Sequence, residues 1–571
     1  MTTEQNYQAV KSGCSALQRY EGLWNLQEPF CASLFTEEQM NGLLVDGFTR
    51  FESIVLHSVR EAISRTSFDI SSERVVFILS TTKGNVEMLE GLKTKDEGLK
   101  AEDERLKTKD EGLKTADAVY PGIAAQRIAT ELGITTEPIV VCNACISGVA
   151  AQVLAQRLLD AGLYDYAIVA GGEVQSKFIV SGFQSFKAVT DEACRPFDIE
   201  RLGLNLGEGA GSIILSSNTK NDGEECSWQI VNGCISNDAY HLSSPHPQGE
   251  GYMLALQGVL GDEELATLGV HGTATMYNDQ MESKAIQRAG LSDVPLTSLK
   301  GYYGHTMGAA GVIESIITMC ATEEGKVLGA RGFEEIGVSG KVNISNETRP
   351  TEGKAFVKML SGFGGCNGAV KYVKDVETKS QLSLPCELKT THKVSINTEG
   401  AYVDGVRLNT TSQGKALLKE LYKTHVDDYP KFYKMDLLTR LTFVASELLL
   451  KAEGNETKEC KDHAVVIFNR SSSIISDRQY FDTIKDDDNC FPSPAVFLYT
   501  LPNLTTGEIA IRNHFFGETS FYILPEKNVK LMDNIIRTTF ADSKTDSIIA
   551  GWIDCPDDQH FEAELSIYNK Q

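Results

Sequence analysis

Residues 138–173, PIVVCNACISGVAAQVLAQRLLDAGLYDYAIVAGGE, carry the reading that decides the fold. Pro138 to Cys142 is a short β-branched run of the kind that forms a buried strand. Asn143-Ala144-Cys145 turns a tight corner. Ile146, Val149, Ala150, Val153, Leu154 and Leu158 then recur at helical spacing. Tyr166 to Ala170 reads as a second buried strand, stopped at Gly171-Gly172. The pattern is strand, corner, helix, strand, which is an α/β unit with Cys145 at the junction of strand and helix. Backbone N–H groups point outward at such a junction, and the helix dipole favours a thiolate. A lone cysteine is more often core packing than chemistry. Cys142 and Cys145 also make a CxxC, the pattern of a redox pair or half a zinc site. No second CxxC and no HxxxH accompanies it, and strand alternation turns Cys142 into the core.

Working outward, 571 residues exceed one ordinary core, so two or three units are expected. The net charge of −24 argues against nucleic acid and anionic membrane surfaces as main partners. Thirteen scattered cysteines suit a reducing compartment. Met1 to Tyr7 is polar, without the look of a secretory signal. No apolar run approaches the roughly 18 residues of a membrane span. The expectation is a cytoplasmic protein.

Upstream, Phe51, Val55, Leu56, Val59 and Ile63 share one face of a helix over Phe48–Ser64, and Val75–Leu79 follows as a strand. Residues 91–118 are four tandem seven-residue copies, GLKTKDE, GLKAEDE, RLKTKDE and GLKTADA. One leucine per copy is half a coiled-coil seam, so this reads as a solvated insertion. Downstream come Cys194-Arg195-Pro196-Phe197-Asp198 and Gly207-Glu208-Gly209-Ala210-Gly211, dense glycines of the kind that mark close backbone approach. His271-Gly272-Thr273-Ala274-Thr275 follows the apolar Leu268-Gly269-Val270, which puts His271 on a loop at a strand end, with Asp279 and Glu282 behind it. His305 precedes a helix of small residues over Ala309–Ala321, where a helix N-terminus helps keep an imidazole neutral. Lys300 and Glu314 can pair across this turn and tune the histidine. Gly362-Phe363-Gly364-Gly365-Cys366-Asn367 is a glycine loop with one aromatic residue, suited to a gate.

NACISG, RPFD…GEGAG, HGTAT…D, K…GHTMGAAG and GFGGCN, in that order and spacing, resemble the β-ketoacyl-acyl carrier protein synthases of the elongating, Cys-His-His type. The resemblance covers about residues 1–378. It implies the thiolase fold, a five-layer α-β-α-β-α sandwich of two similar halves at 1–217 and 218–378, and a dimer. It implies Cys145 as nucleophile and His271 and His305 as neutral donors to the malonyl thioester carbonyl. Cys145 and Phe363 N–H groups would form the oxyanion hole, with Phe363 the gate. Lys300 and Glu314 would order the histidines, and Thr273 and Thr275 would lie near pantetheine. Acyl carrier protein is the implied partner, and neither a metal nor an organic cofactor is implied.

Two departures fall near the site: Asn278 stands where the family has glycine, and Ser361 where it has phenylalanine. The family's first buried strand is also missing, since the chain starts at what reads as the next helix. Residues 387–571 resemble a second, degenerate N-terminal half: Lys393–Val403 as first strand, Met435–Leu450 as helix, Ala464–Phe468 and Ile548–Gly551 as strands. Pro492–Asn503 resembles the segment ahead of the catalytic strand. Pro525 falls at the place of the nucleophile, flanked by Leu524 and Glu526, so this module is read as non-catalytic. Packing against the synthase as an intramolecular pseudo-dimer, like a chain-length factor, is the expectation. A swap of Lys393–Val403 into the missing first-strand position is the more speculative alternative. The competing functional reading is a non-catalytic scaffold or length factor, against which the full Cys145, His271, His305 set argues.

Overall fold

The computed structural model describes residues 2–90, 116–217, 220–221, 224–225, 228–375, 388–454, 463–487 and 490–570. The heptad copies lie almost wholly outside the described residues, as does the joint at 376–387. The main strands fall into three sets. The first is β1 (Val75–Ser80), β2 (Ile139–Val141), β3 (Tyr166–Glu173) and β4 (Gly209–Ser216). The second is β5 (Trp228–Asn237), β6 (Leu265–Gly269), β7 (Leu296–Thr297), β8 (Ala355–Ser361) and β9 (Cys366–Lys374). The third is β10 (Lys389–Asn397), β11 (Gly400–Val403), β12 (Val406–Arg407), β13 (His463–Asn469), β14 (Thr519–Ile523), β15 (Ser547–Asp554) and β16 (Glu562–Asn569). The first and third sets share one 11-stranded sheet, ordered β12-β11-β10-β16-β15-β13-β14-β2-β1-β3-β4, and the second forms a five-stranded sheet, β5-β9-β8-β6-β7.

One pattern occurs three times. A parallel trio ends in an antiparallel strand: β2-β1-β3-β4, β7-β6-β8-β9 and β14-β13-β15-β16. In the second and third sets a further antiparallel strand closes the run, β5 on β9 and β10 on β16. Among the described residues no strand takes that place beside β4. The speculative alternative of a swap is overturned by the same pairing: Lys393–Val403 lies in the β10–β11 hairpin against β16, at the opposite end of the sheet from β4.

Apolar faces stack these sheets into five layers. Helices α1 (Arg50–Ile63) and α2 (Pro121–Leu132) begin the outer layer, and α3 (Ser147–Asp160) lies in the middle one. Further along come α4 (Lys177–Ser185), α5 (Glu250–Val259), α6 (Met276–Arg288) and α7 (Ala310–Glu323), then α8 (Leu437–Glu453), α9 (Pro494–Leu498), α10 (Leu504–Asn513) and α11 (Val529–Thr539). Phe51, Ile54 and Val55 of α1, Ile128 of α2 and Leu441, Val444 and Leu448 of α8 cover one face of the large sheet. Helices α3 and α7 fill the space between the two sheets, α11 packs beside α3 on the same face of the large sheet, and α5 and α6 cover the far face of the small one. Strand β1 is buried along its whole length, which is why it reads as an unbroken apolar run.

Strand β3 continues through Gly171 and Gly172 to Glu173 instead of stopping there. The glycines mark close packing: a Cβ on Gly172 would sit 2.4 Å from Val55 Cγ2, and one on Gly171 would sit 2.9 Å from Ala309 Cα.

The third set meets the first at the strand that leads to Cys145. Strand β14 pairs antiparallel with β2, Tyr522 opposite Val141 and Ile523 opposite Val140. Cys142 N–H donates to Phe521 O (3.0 Å). Asn143 extends the contact: Phe521 N–H donates to its Oδ1 (2.7 Å), and its Nδ2 donates to Thr519 O (3.2 Å). Two buried ion pairs cross the same junction, Arg157–Glu518 (2.7 Å) and Lys83–Asp477. Removing one member of such a pair strands a charge in the interior, at about 3–5 kcal/mol. Glu518→Ala is therefore expected to lower the urea midpoint strongly, and Arg157→Met with Glu518→Leu to recover most of the loss; equal midpoints for wild type and Glu518→Ala would show the pair is not holding this junction.

Candidate active site

Cys145 lies in a single 3-10 turn, Ala144–Ile146, between β2 and α3. Ala144 has φ 47°, a left-handed conformation that costs a non-glycine residue about 1–3 kcal/mol. The turn exposes Cys145 toward the start of α7. Helices α3 and α7 approach so closely that a Cβ on Gly311 would lie 2.4 Å from Val149 N, and one on Gly148 would lie 2.9 Å from Gly311 Cα. Small residues at GVAA and GAAG permit this, and the two helix N-termini converge with Cys145 ahead of one and His305 ahead of the other.

His271 follows β6 on a loop shaped from below. Glu282 of α6 accepts the N–H groups of His271 and Gly272 (both 2.7 Å), the Tyr252 hydroxyl (2.6 Å) and the Asn278 amide (2.9 Å). Asn278 thus has a scaffolding bond of its own. Asp279 accepts Phe197 N–H (2.8 Å), and the Thr273 and Thr275 hydroxyls are 2.9 Å apart. His305 Nδ1 accepts Met307 N–H (3.3 Å), which leaves the ring proton on Nε2. That Nε2 is buried and has no hydrogen-bond partner among the described residues. The two imidazole rings stand 5.1 Å apart and nearly perpendicular. One ring nitrogen of each and Cys145 Sγ all lie within 4.8 Å of one another.

Beneath them Glu314 binds two lysines, Lys300 (2.8 Å) and Lys358 (2.5 Å). Lys358 also donates to Val270 O (2.9 Å), just before His271. The sequence reading missed Lys358, which sits in the strand AFVKMLS without a motif around it; a lone lysine in so apolar a run was the available signal. It also missed Glu173, which accepts from Thr82 N–H, Thr81 Oγ1 (3.2 Å) and Gly308 N–H (3.3 Å) and so joins the loop after β1 to the start of α7.

The Phe363 loop lies on the nucleophile corner: a Cβ on Gly362 would be 3.3 Å from both Cys145 N and Ala144 Cβ. The Phe363 ring packs on Phe186 (5.7 Å) and Phe183 (6.2 Å), and its N–H makes no hydrogen bond among the described residues. Ser361 Oγ donates to Asn367 Oδ1 (2.8 Å). At the corresponding end of β14 stand Leu524 and Pro525, with no nucleophile.

Burial dominates the charges here. It pushes the Cys145 thiol up to about 12, against the pull of Lys300, so the thiol rests protonated and must give up its proton to react. Burial, then the Lys300 charge, holds His271 and His305 well below the usual imidazole range. Burial alone would raise Glu314, but the two ammoniums outweigh it and keep the carboxyl low; burial brings Lys358 down to about 8 and Glu173 up to about 7. The resting site is a neutral thiol facing two neutral imidazoles: His305, its proton on Nε2, can offer that N–H to an oxygen gaining charge, and His271, whose Nδ1 makes no hydrogen bond among the described residues, can take the thiol proton. Cys142 is fully buried, its thiol directed to Thr82 O (3.4 Å), apart from this group.

Fold and site together define a thiolase-like α/β protein with a Cys-His-His centre. The β-ketoacyl synthase N-terminal domain model matches residues 25–221 and the C-terminal domain model residues 229–334, together more than half of the chain. The chain belongs to the β-ketoacyl synthase family. It is 31% identical over 267 residues to the 3-oxoacyl-[acyl-carrier-protein] synthase 2 of Vibrio cholerae serotype O1, a match covering 43% of this chain and 64% of the relative. It therefore spans just under two thirds of that relative's length. Among solved structures, a "PfaC Keto synthase-Chain length factor" superposes with a TM-score of 0.74 at 14% identity, over 100% of this chain and 77% of the other. A β-ketoacyl synthase from Burkholderia phymatum gives 0.57 at 21%, over 66% and 96%. No helix among the described residues is long and apolar enough to cross a membrane.

The depressed histidines set a pH dependence. On unfolding they bind protons below about pH 6.5 that the folded protein refuses, so their contribution to stability is lost as pH falls, by about 1.4 kcal/mol per pH unit for each histidine. Raised carboxyls such as Glu173 and Asp279 act in the opposite sense but are common to variants. Between pH 7.5 and 5.5 the unfolding midpoint of the wild type is expected to fall more steeply than that of His271→Asn/His305→Asn; parallel curves would mean the rings are not held neutral.

Proposed function

We propose that this chain is a 3-oxoacyl-acyl carrier protein synthase, a condensing acyltransferase that lengthens acyl chains in a fatty acid, polyene or polyketide type of elongation. The observation that carries this is the convergence of Cys145 Sγ with the two neutral imidazoles within 4.8 Å, beside the free Phe363 N–H. Cys145 attacks the carbonyl of an acyl thioester brought by acyl carrier protein. An imidazole takes the thiol proton and returns it to the departing pantetheine thiol, leaving the acyl group on Sγ. The N–H groups of Cys145 and Phe363 hold the oxyanion of that step. A malonyl thioester then enters, its carbonyl oxygen accepting hydrogen bonds from His271 and His305. Its carboxylate leaves as CO₂, and the C–C bonding electrons become the enolate that these bonds stabilise. The enolate carbon attacks the acyl-Cys145 carbonyl, expels the Cys145 thiolate, which regains a proton, and yields a 3-oxoacyl chain two carbons longer. No metal or organic cofactor takes part in this scheme, because the carrier delivers an activated thioester and decarboxylation drives the bond formation. Lys300, Lys358 and Glu314 fix the histidines, while Thr273 and Thr275 line the pantetheine approach.

Residues 388–570 act in this reading as a non-catalytic pseudo-subunit fused to the synthase, and the cytoplasm is the compartment that supplies carrier protein. Support comes from the wall of the cavity next to Cys145, to which Ile179, Phe183 and Met307 contribute from one side and Phe497 and Leu501 from the other. Phe497 lies flat on the bare backbone of Gly182, where a Cβ would come to 2.1 Å of its ring.

The deciding experiment mixes the protein with acyl-carrier-protein thioesters of several lengths and reads its intact mass. Wild type is expected to gain one acyl group and Cys145→Ala none; no adduct with any thioester would leave a non-catalytic length factor as the reading. Phe497→Ala is expected to shift the preferred acyl chain to longer thioesters, with several-fold faster acylation by chains the wild type accepts poorly. An unchanged profile would take Phe497 out of the chain-length wall.

A further inference from the structure

The gate loop, residues 361–367, is held from the fused segment as well as from its own half of the protein. Asn503, immediately ahead of α10, is 2% exposed, and its Nδ2 donates to Phe363 O (2.8 Å) and to Cys366 Sγ (3.7 Å). One residue on, a Cβ at Gly364 would lie 2.9 Å from Asn503 Nδ2, and Gly364 has φ 90°. Gly507, one turn along α10, is equally tight: a Cβ there would meet Gly364 O at 2.6 Å. From the opposite side Gly364 N–H donates to Leu242 O (2.6 Å), and Asn237 Nδ2 bridges Gly364 O (2.9 Å) and Thr519 Oγ1 of β14 (3.0 Å). The loop is therefore clamped between the β5 end and α10.

We propose that Asn503 is a positioning residue for the condensation: by fixing the Phe363 carbonyl, in the peptide unit shared with Gly364, it restrains rotation about the Phe363 Cα and so holds the Phe363 N–H toward Cys145 and its ring across the acyl entrance. The peptide unit is planar, so a bond to its carbonyl sets where the following part of the loop points and limits rotation about the Phe363 backbone. A packing residue would not need the amide. Asn503 Oδ1 is buried without a partner among the described residues, and an unpaired buried carbonyl costs about 1–3 kcal/mol. A leucine, with the same branching and number of side-chain heavy atoms, would avoid that cost. The amide destabilises its own site and stays justified by the bond that Nδ2 makes to Phe363. The catalytic loop is thereby placed across the chain, from a segment that has no nucleophile of its own.

The activity readout rests on the condensing function proposed above; a second readout does not. Asn503→Leu and Asn503→Ala are compared with wild type in three measurements on the full chain: acylation of Cys145 by acyl thioesters followed by intact mass, alkylation of Cys145 by iodoacetamide, and hydrogen exchange of the peptide covering 361–367. Both variants are expected to acylate at least tenfold more slowly while alkylating within about twofold of wild type. Exchange is expected to quicken in 361–367 and not in β1 or β3, and Asn503→Leu to melt no lower than wild type. Wild-type acylation in Asn503→Leu, or acylation and alkylation falling together, overturns the positioning role. Unchanged exchange in 361–367 overturns it as well, whatever the activity. Should wild type itself take up no acyl group while the exchange responds as expected, the condensing function falls and the loop assignment stands.

Discussion

An open strand edge governs this structure. Strand β2 is buried on both faces and leads directly into the corner that carries Cys145, and an unpaired edge at such a place would leave backbone groups without partners. Strand β14 fills that edge, and the consequences spread from there. Asn143, two residues before Cys145, is bonded to both sides of Phe521's neighbourhood, so the corner is braced by a strand nearly four hundred residues further along the chain. The same docking brings Asn503 onto the gate loop, Phe497 and Leu501 onto the cavity wall, and Glu518 onto Arg157. The fused segment is thus part of the site's construction rather than an appendage.

Within that frame, desolvation decides protonation. The corner, the two histidine loops and the Lys300–Glu314–Lys358 group are packed so tightly that ionising Cys145 or either imidazole is disfavoured. The charges that do persist are collected one layer below, where Glu314 sits between two lysines. This division leaves Cys145 and the two imidazoles neutral at rest, with protons they can exchange.

The threefold use of one strand pattern shows how little of this is a property of the fold alone. The ends of β2 and β14 lie in the same topological place, but one continues as Asn143-Ala144-Cys145 and the other as Leu524-Pro525. Chemistry depends on the residues at a strand's end and not on the strand. The second set supplies His271 from the end of β6 and His305 from the turn ahead of α7, and only the stacking of the two sheets through α3 and α7 brings them over Cys145.

Periodicity and local chemistry in the sequence were enough for the α/β class and for most strands and helices near the site, because short apolar runs, helical spacing and glycine-rich corners are written locally; Cys145, His271, His305, Lys300, Glu314 and Phe363 came together as a group only through the resemblance of their motifs. Gly171-Gly172 misled, since a glycine needed for close packing looks the same in sequence as one that ends a strand. The thiol's protonation, the roles of Lys358 and Glu173, the strand β14 and the hold of Asn503 on Phe363 were decided only by tertiary structure. Each depends on what lies opposite a residue hundreds of positions away, and burial, pairing and the electrostatic cost of charge exist only once those distant segments are packed together.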